Sequence, residues 1–358
     1  MSFEEKKVLV VGTGKSGVAA TGLLLKEKVQ TVLFDADKEL DTKEFFEKNP
    51  SLNGVSLILG DLSDEQIKQF DIAVLSPGVP TDIPMVNRLR DAGVKIWGEI
   101  ELAYAFGKGR IIAITGTNGK TTTTALTGEI MAEHYDDVRV VGNIGIPYTS
   151  MVQGTTEETV TVAEISSFQL ETIHEFRPHV SAILNITPDH LNRHHTMENY
   201  IKAKEDITKN QTADDFCVLN YEDEVLRTFA EKCPAKVIFF SSRRVLDEGF
   251  YLEGEEIMYA HDNKTDRVIN VNDLNLLGRH NYENVCAAVA MALAYGISLE
   301  DIRYVLVRFK AVEHRIEFVL ERSGVRYYND SKGTNPDAAI QAIRAMPGPT
   351  VLIAGGYD

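Results

Sequence analysis

Two segments of this 358-residue chain share one construction: an apolar strand, a glycine-rich loop and a helix. The first is "VLVVGTGKSGVAA", from Val8 to Ala20, where Gly12, Gly14 and Gly17 satisfy G-x-G-x-x-G. The second, "IIAITGTNGKTTTTALTGEI", begins at Ile111. Such units commit the surrounding chain to parallel strands joined by crossover helices. Further apolar runs fit that pattern: "QTVLFDAD", "VSLILGD", "FDIAVLSPG", "VRVVG", "TVTVAEIS" and "VSAILNIT". The expected fold class is therefore α/β.

The length is too great for one ordinary core and implies two or three domains. Breaks are expected near Ile96 to Gly109 and near Lys310 to His314, giving domains 1–98, 99–310 and 311–358. The last segment reads as a hairpin, a loop, a helix and a further strand. It is shorter than an ordinary domain and stops after that apolar strand, so it is read as a domain cut short. No apolar run has the length of a membrane span, and "MSFEEKKVLVV" lacks the pattern of a signal peptide, which leads us to expect a cytoplasmic protein. Cys217, Cys233 and Cys286 are few and widely spaced, suggesting buried thiols, with neither a disulfide framework nor a zinc site expected. The net charge of −16, with no basic stripe, argues against nucleic-acid or membrane partners, so any bound phosphate must be met locally.

The second loop carries that local chemistry. Gly116, Thr117, Asn118 and Gly119 turn backbone amides toward an anion at a helix N-terminus. Lys120 adds a point charge, and Thr121, with Thr122 and Thr123 behind it, offers a hydroxyl to Mg²⁺. Its glycines are only three apart, which departs from the common G-x-x-x-x-G-K-[ST] spacing. The loop indicates ATP or GTP use without naming a reaction. The first loop, with Asp35 after the next strand, also admits an NAD-dependent dehydrogenase, although that reading leaves "GTNGKTTT" unexplained. A non-catalytic nucleotide-binding module is a further alternative.

Seven motifs in order then resemble the Mur ligases: "GTNGKTTT", "GNIG", "EISSFQLE", "NITPDHLNRH", "GRHNYENVCAA", "EHRIE" and "NDSKGTNP". The resemblance implies a Rossmann-like N-terminal domain, a central P-loop-type ATPase domain and part of a Rossmann-like C-terminal domain. "SSFQLE", "GEIEL" and "NDSKGTN" are most similar to members that add D-glutamate to UDP-N-acetylmuramoyl-L-alanine; relatives that add other amino acids or act on folate share the ATP loop. ATP and two Mg²⁺ ions are implied as cofactors, and a monomer is expected.

The same resemblance distributes roles. Lys120, His190 and Lys204 match catalytic positions, and Thr121, Glu164, His190 and Lys204 match metal-binding ones. A carboxylate at a strand's C-terminal end suits Mg²⁺, although a cap or salt bridge explains Glu164 equally well. Lys204 shares a helix face with Tyr200, Ala203 and Ile207, and an inward lysine favours the neutral amine that captures CO₂. The family carries a carbamylated lysine there; without it, a buried stem with a snorkelling ammonium is the simpler reading. "HLNRH" lacks zinc-site spacing, and His194 and His195 are read as structural. Without the resemblance Asn281 and Asn284 read as helix caps; with it, Asn284 matches an adenine contact. Arg315 and Asp330 match positions reaching ATP, and Lys332 and Thr334 match positions on the amino-acid side. Asn143 would hold the UDP-sugar, whose diphosphate would lie at Gly14, Lys15 and Ser16, with Asp35 and Ala36 near the uridine.

In the implied reaction the γ-phosphoryl group passes from ATP to the substrate carboxylate, and the amine of D-glutamate displaces phosphate. The resemblance also implies a closing movement that delivers Arg315, Asp330, Lys332 and Thr334. With the C-terminal segment read as incomplete, the chain is expected to bind the UDP-sugar and ATP but to ligate poorly.

Overall fold

The computed structural model describes residues 3–355. The expected domain ends at residues 1, 2 and 356–358 lie outside the described residues. In chain order the strands are β1 (Lys7–Val11), β2 (Gln30–Asp35), β3 (Ser56–Leu59), β4 (Ile72–Leu75), β5 (Lys95–Gly98), β6 (Arg110–Thr115), β7 (Val138–Gly142) and β8 (Val160–Glu164). They continue as β9 (Val180–Ile183), β10 (Phe216–Asn220), β11 (Lys236–Ser241), β12 (Gly249–Glu253), β13 (Glu256–His261), β14 (Lys264–Asn270), β15 (Glu317–Arg322) and β16 (Val325–Asn329). The chain divides into two compact units. One comprises Met1–Ile111, Arg139–Arg177 and Asn192–Asn210; the other comprises Ile112–Val138, Pro178–Leu191 and Gln211–Asp358. This division cuts across the domain limits expected at 98/99 and 310/311, because the chain passes between the units several times.

In the first unit, five parallel strands run in the order β3-β2-β1-β4-β5. Val8 to Val11 are buried, as a strand covered on both faces requires. From β1 the chain steps outward to β2 and β3, then returns past β1 to β4 and β5, so the strand order reverses between β1 and β4 and the crevice of this sheet opens at their ends. There Gly12 adopts φ 103°, a left-handed conformation that favours glycine. A Cβ on Gly17 would lie 1.8 Å from the Gly12 carbonyl oxygen, so only glycine lets the helix Lys15–Lys26 approach its own loop. The core beneath is built from Leu9, Val11, Phe34, Leu75 and Ile96.

The second unit carries strands in the order β14-β13-β12-β11-β10-β9-β6. From β6 to β12 they are parallel, and β12, β13 and β14 form an antiparallel meander. The long helix Arg279–Tyr295 is buried along most of its length by alanine, valine and methionine. β14 forms the sheet edge, where Lys264, Thr265, Asp266 and Arg267 are exposed and the Arg303 Nε donates to the Val268 carbonyl at 2.9 Å. The expected C-terminal hairpin is β15–β16, followed by the helix Pro336–Ala345. The further strand expected in "TVLIAGG" does not form among the described residues. Val351 and Ile353 are exposed, with no neighbouring strand to complete a ladder.

Glu99 opens the helix Glu99–Phe106 and is buried, its Oε1 accepting from the Thr149 amide at 2.6 Å and the Thr149 hydroxyl at 2.9 Å. Burial raises its pKa, against the opposing pull of those Thr149 bonds and the Tyr148 amide. A carboxyl raised in the folded state gives its full stability below the ordinary glutamate value and loses it as pH rises through the folded value. Glu99→Gln is therefore expected to be more stable than the parent at neutral pH and to lose that part of the pH dependence. Urea unfolding between pH 4 and 8 measures both effects.

Candidate functional site

In the second unit, β6 delivers its loop into the helix Lys120–His134, whose N-cap Gly119 has φ 87°. A glycine loop is flexible unless tied, and three groups of bonds tie this one. The Thr117 amide donates to the Asn185 carbonyl at 2.9 Å, and the Thr117 hydroxyl donates to the Thr187 carbonyl at 3.1 Å. The Asn118 amide donates to Asn185 Oδ1 at 2.8 Å, while Asn185 Nδ2 returns a bond to the Asn118 carbonyl at 3.1 Å. Lys120 Nζ donates to the Gly116 and Thr117 carbonyls at 3.0 and 2.9 Å, holding its charge against the loop.

A cavity of about 290 Å³ opens from this loop, near the lower end of the size of small-molecule sites. It follows the C-terminal ends of successive parallel strands: Asn118 and Gly119 after β6, Leu184 and Asn185 after β9, Glu222 after β10, and Phe240 and Arg243 at β11. Its wall is completed by Glu283 and Asn284 from the Arg279–Tyr295 helix and by Arg315, Asp330 and Asp337 from the C-terminal segment. Arg315 Nη2 lies 3.4 Å from the Thr121 hydroxyl, while its buried Nε has no partner among the described residues. Asn118 also joins the C-terminal segment, donating to Asp337 at 3.0 Å and accepting from Asn335 at 3.0 Å. Burial raises the Asp330 pKa despite the Ile316 amide and Arg315. Burial lowers His280 to about 4, against the pull of Asp337.

The structure thus brings Asn118, Gly119, Thr122, Asn284, Arg315 and Asp330 into one cavity lining. Thr121 is buried at the start of the helix, and Thr123 is fully buried and outside that lining. Asn281 and Asn284 are linked by a 3.1 Å bond, and Asn281 Nδ2 donates to the Leu277 carbonyl. Lys332 and Thr334 are exposed on either side of Gly333, which does line the cavity. His190 is exposed at φ 51°, its amide donating to Asp189 at 2.9 Å. Asn185, Glu222, Phe240, Glu283 and Asp337 were not singled out as cavity residues from the sequence. Recognising β10 and β11 as parallel strands would have pointed to the residues at their ends.

In the first unit, Glu164 ends β8 with 1% exposure. Its Oε1 accepts from Asn143 Nδ2 at 2.8 Å, and its Oε2 has no partner among the described residues. A buried carboxylate oxygen without a donor suits a hard divalent cation. Among the described residues no three His, Cys, Asp or Glu side chains gather as a metal cage. That is compatible with Mg²⁺, which is held by one or two carboxylates together with phosphate and water. Lys204 is 2% exposed on the inward face with Tyr200, Ala203 and Ile207, and its Nζ lies 4.6 Å from the Tyr200 ring centroid. His194 is buried between the Ser167 hydroxyl at 2.9 Å and Glu171 Oε1 at 3.3 Å, while His195 meets Asp82 at 2.9 Å. At the β1 end, Gly14 and Lys15 are exposed and Ser16 is half-buried. Asp35 accepts from the Thr13 amide and hydroxyl at 2.9 and 2.6 Å, with Ala36 exposed beside it. Burial opposes its ionisation, but those bonds and the Asp37 and Ala36 amides hold its pKa below the usual value.

Fold and loop define an α/β protein with a glycine-rich cradle of the kind that nucleoside triphosphates occupy. Two family models match: "Mur ligase MurD-like, N-terminal domain" over residues 6–98 and "Mur ligase middle domain" over residues 114–292. The chain belongs to the Mur ligase family. It is 58% identical over its whole length to a UDP-N-acetylmuramoylalanine--D-glutamate ligase of Lachnoclostridium phytofermentans and 49% identical to one of Clostridioides difficile, covering 79% of each. Solved structures of MurF from Acinetobacter baumannii (TM-score 0.59, 19% identity) and MurC from Thermotoga maritima (TM-score 0.57, 21% identity) share the fold. Their matches cover 94% and 95% of this chain, and 70% and 77% of the solved chains.

A Cβ on Gly119 would lie 2.3 Å from Asn284 Oδ1, in a left-handed backbone. Gly119→Ala is expected to cost at least about 1–2 kcal/mol from the backbone alone. The lowered urea midpoint, at unchanged slope, measures it.

Proposed function

We propose that this chain is an ATP-dependent ligase that joins D-glutamate to UDP-N-acetylmuramoyl-L-alanine, yielding the amide, ADP and phosphate in the cytoplasm. The observation that carries the reading is the tied Gly116–Thr122 loop, with Lys120 against it, opening into a cavity along parallel strand ends. Similarity to the two UDP-N-acetylmuramoylalanine--D-glutamate ligases supports the choice of substrates.

A carboxylate is a poor electrophile. Its oxygen attacks the γ-phosphorus and the bond to the ADP oxygen breaks, giving an acyl phosphate. The D-glutamate amine then adds to the acyl carbon, loses a proton, and phosphate departs from the tetrahedral intermediate. The loop amides and Lys120 meet the phosphate oxygens, and Arg315 supplies a second cation from the cavity wall. Bound Mg²⁺ supplies charge screening for the phosphoryl oxygens. By resemblance to the family, Thr121, Glu164, His190 and Lys204 would hold it. Lys204 would bind as a carbamate, formed when its neutral amine adds to CO₂ and releases a proton; its near-complete burial supports this. Exposed Gly14 and Lys15 and half-buried Ser16 are assigned to the diphosphate of the UDP-sugar, Asp35 and Ala36 to the uridine, and Asn143 to the sugar side. Asn284 and Asp330 are assigned to ATP, and Lys332 and Thr334 to the incoming amino acid.

Phosphate release measured with UDP-N-acetylmuramoyl-L-alanine, ATP and a panel of amino acids tests the reading. Release that is strongest with D-glutamate supports it; equal release without any amino acid, or a preference for another, sinks it. Lys120→Met is expected to lower kcat/KM by about 10²–10³. Glu164→Gln is expected to raise the Mg²⁺ concentration for half-maximal rate by about tenfold or more, which a Mg²⁺ titration of the same assay reads.

A further inference from the structure

Nucleotide orientation in the cavity follows from strand spacing and charge. The loop after β6 and the end of β11 are three strand steps apart, through β9 and β10. At roughly 4.8 Å per step the span is about 14 Å, comparable with the length of a nucleoside triphosphate. The β6 end offers amides, Lys120 and a helix N-terminus. The β11 end offers the buried ring of Phe240 among side chains of both signs, Glu222, Glu283, Arg243 and Arg279. Aligned amides and a helix N-terminus favour phosphate at the β6 end and an aromatic wall favours a flat ring, so the base belongs at the β11 end.

The two carboxylates there differ. Glu222 accepts two bonds from Arg244, at 3.0 and 2.9 Å, and one from the Ser241 hydroxyl at 2.6 Å. Glu283 accepts the Ser242 hydroxyl at 2.5 Å; burial raises its pKa, against that bond and the charges of Arg243 and Arg279, and Glu222 adds to the rise. A carboxyl group keeps acceptor lone pairs in either protonation state, so Glu283 retains acceptor capacity beyond Ser242. Its helix neighbour Asn284 spends its Nδ2 on Asn281.

Resting on the ATP reading above, we propose that Glu283 is a specificity residue that accepts a hydrogen bond from the exocyclic 6-amino group of the base, with Phe240 beside it as an apolar wall. A base with a carbonyl at that position sets acceptor against acceptor and is disfavoured. Ser242 fixes the carboxylate in place.

ATP and inosine triphosphate differ at the 6-substituent and at the adjoining N1, which turns from acceptor to N–H donor, so calorimetric titration of both against the whole protein is paired with the 6-N,N-dimethyl analogue, which leaves N1 an acceptor. The protein is expected to prefer ATP by about tenfold or more, and Glu283→Gln, whose amide can also donate, to narrow the preference to about threefold. Ser242→Ala retains the carboxylate and is expected to keep the preference. An equal loss for both nucleotides in Glu283→Gln, with the ratio unchanged, overturns the proposal. So does equal binding of ATP and its 6-N,N-dimethyl analogue by the unaltered protein, a measurement independent of variant folding. If the unaltered protein binds no nucleotide at all, the ATP reading fails and this proposal falls with it; loss of discrimination with ATP binding intact defeats Glu283 alone.

Discussion

The reciprocal bond between Asn118 and Asn185 is what the phosphate cradle depends on. Glycine loops cost more entropy to order than any other backbone, and an anion site is useful only if its amides already point the right way. Asn185 uses its backbone carbonyl on Thr117 and both ends of its side chain on Asn118, so one residue after β9 fixes two consecutive peptide units after β6. Because β6 and β9 are adjacent parallel strands, sheet register sets the position of this clamp. The cavity and its charged ends inherit their alignment from it.

The two glycine loops look alike in sequence and are held by different physics. At β1 the helix is drawn against its loop by the absence of a side chain at Gly17, Asp35 fastens the loop at Thr13, and Gly14 and Lys15 remain open to solvent. At β6 the loop is closed in by side-chain and backbone bonds, and Asn284 lies so near Gly119 that a Cβ there would come within 2.3 Å of its Oδ1. The first arrangement suits a ligand that extends outward into solvent. The second encloses its ligand and discriminates among the groups placed there.

The parallel strands of the first half were legible because Val, Ile and Leu runs buried on both faces leave no ambiguity with amphipathic helices. The inward face of Lys204 was legible from helical spacing alone. Less was visible between β9 and the Arg279–Tyr295 helix. The meander β12–β14 alternates exposed charge with buried Ile257, Val268 and Ile269, a weak local pattern, and it completes the sheet through antiparallel pairing. Glu222, Glu283 and Asp337 look like ordinary surface carboxylates in sequence; only the topology gathers them around one cavity. "TVLIAGG" misled in the other direction, because strand propensity forms no strand without a partner to bond.

The meander also determines how far the sheet can grow. A row of unpaired amides along β14 would template another chain. However, this edge carries Lys264, Asp266 and Arg267, and the Arg303 guanidinium already occupies the Val268 carbonyl. An incoming strand would have to strip solvent from charges of both signs and displace that arginine. The second unit can therefore keep a long sheet, with a ligand cavity at its strand ends, without a sticky margin that would invite aggregation at high cellular concentration.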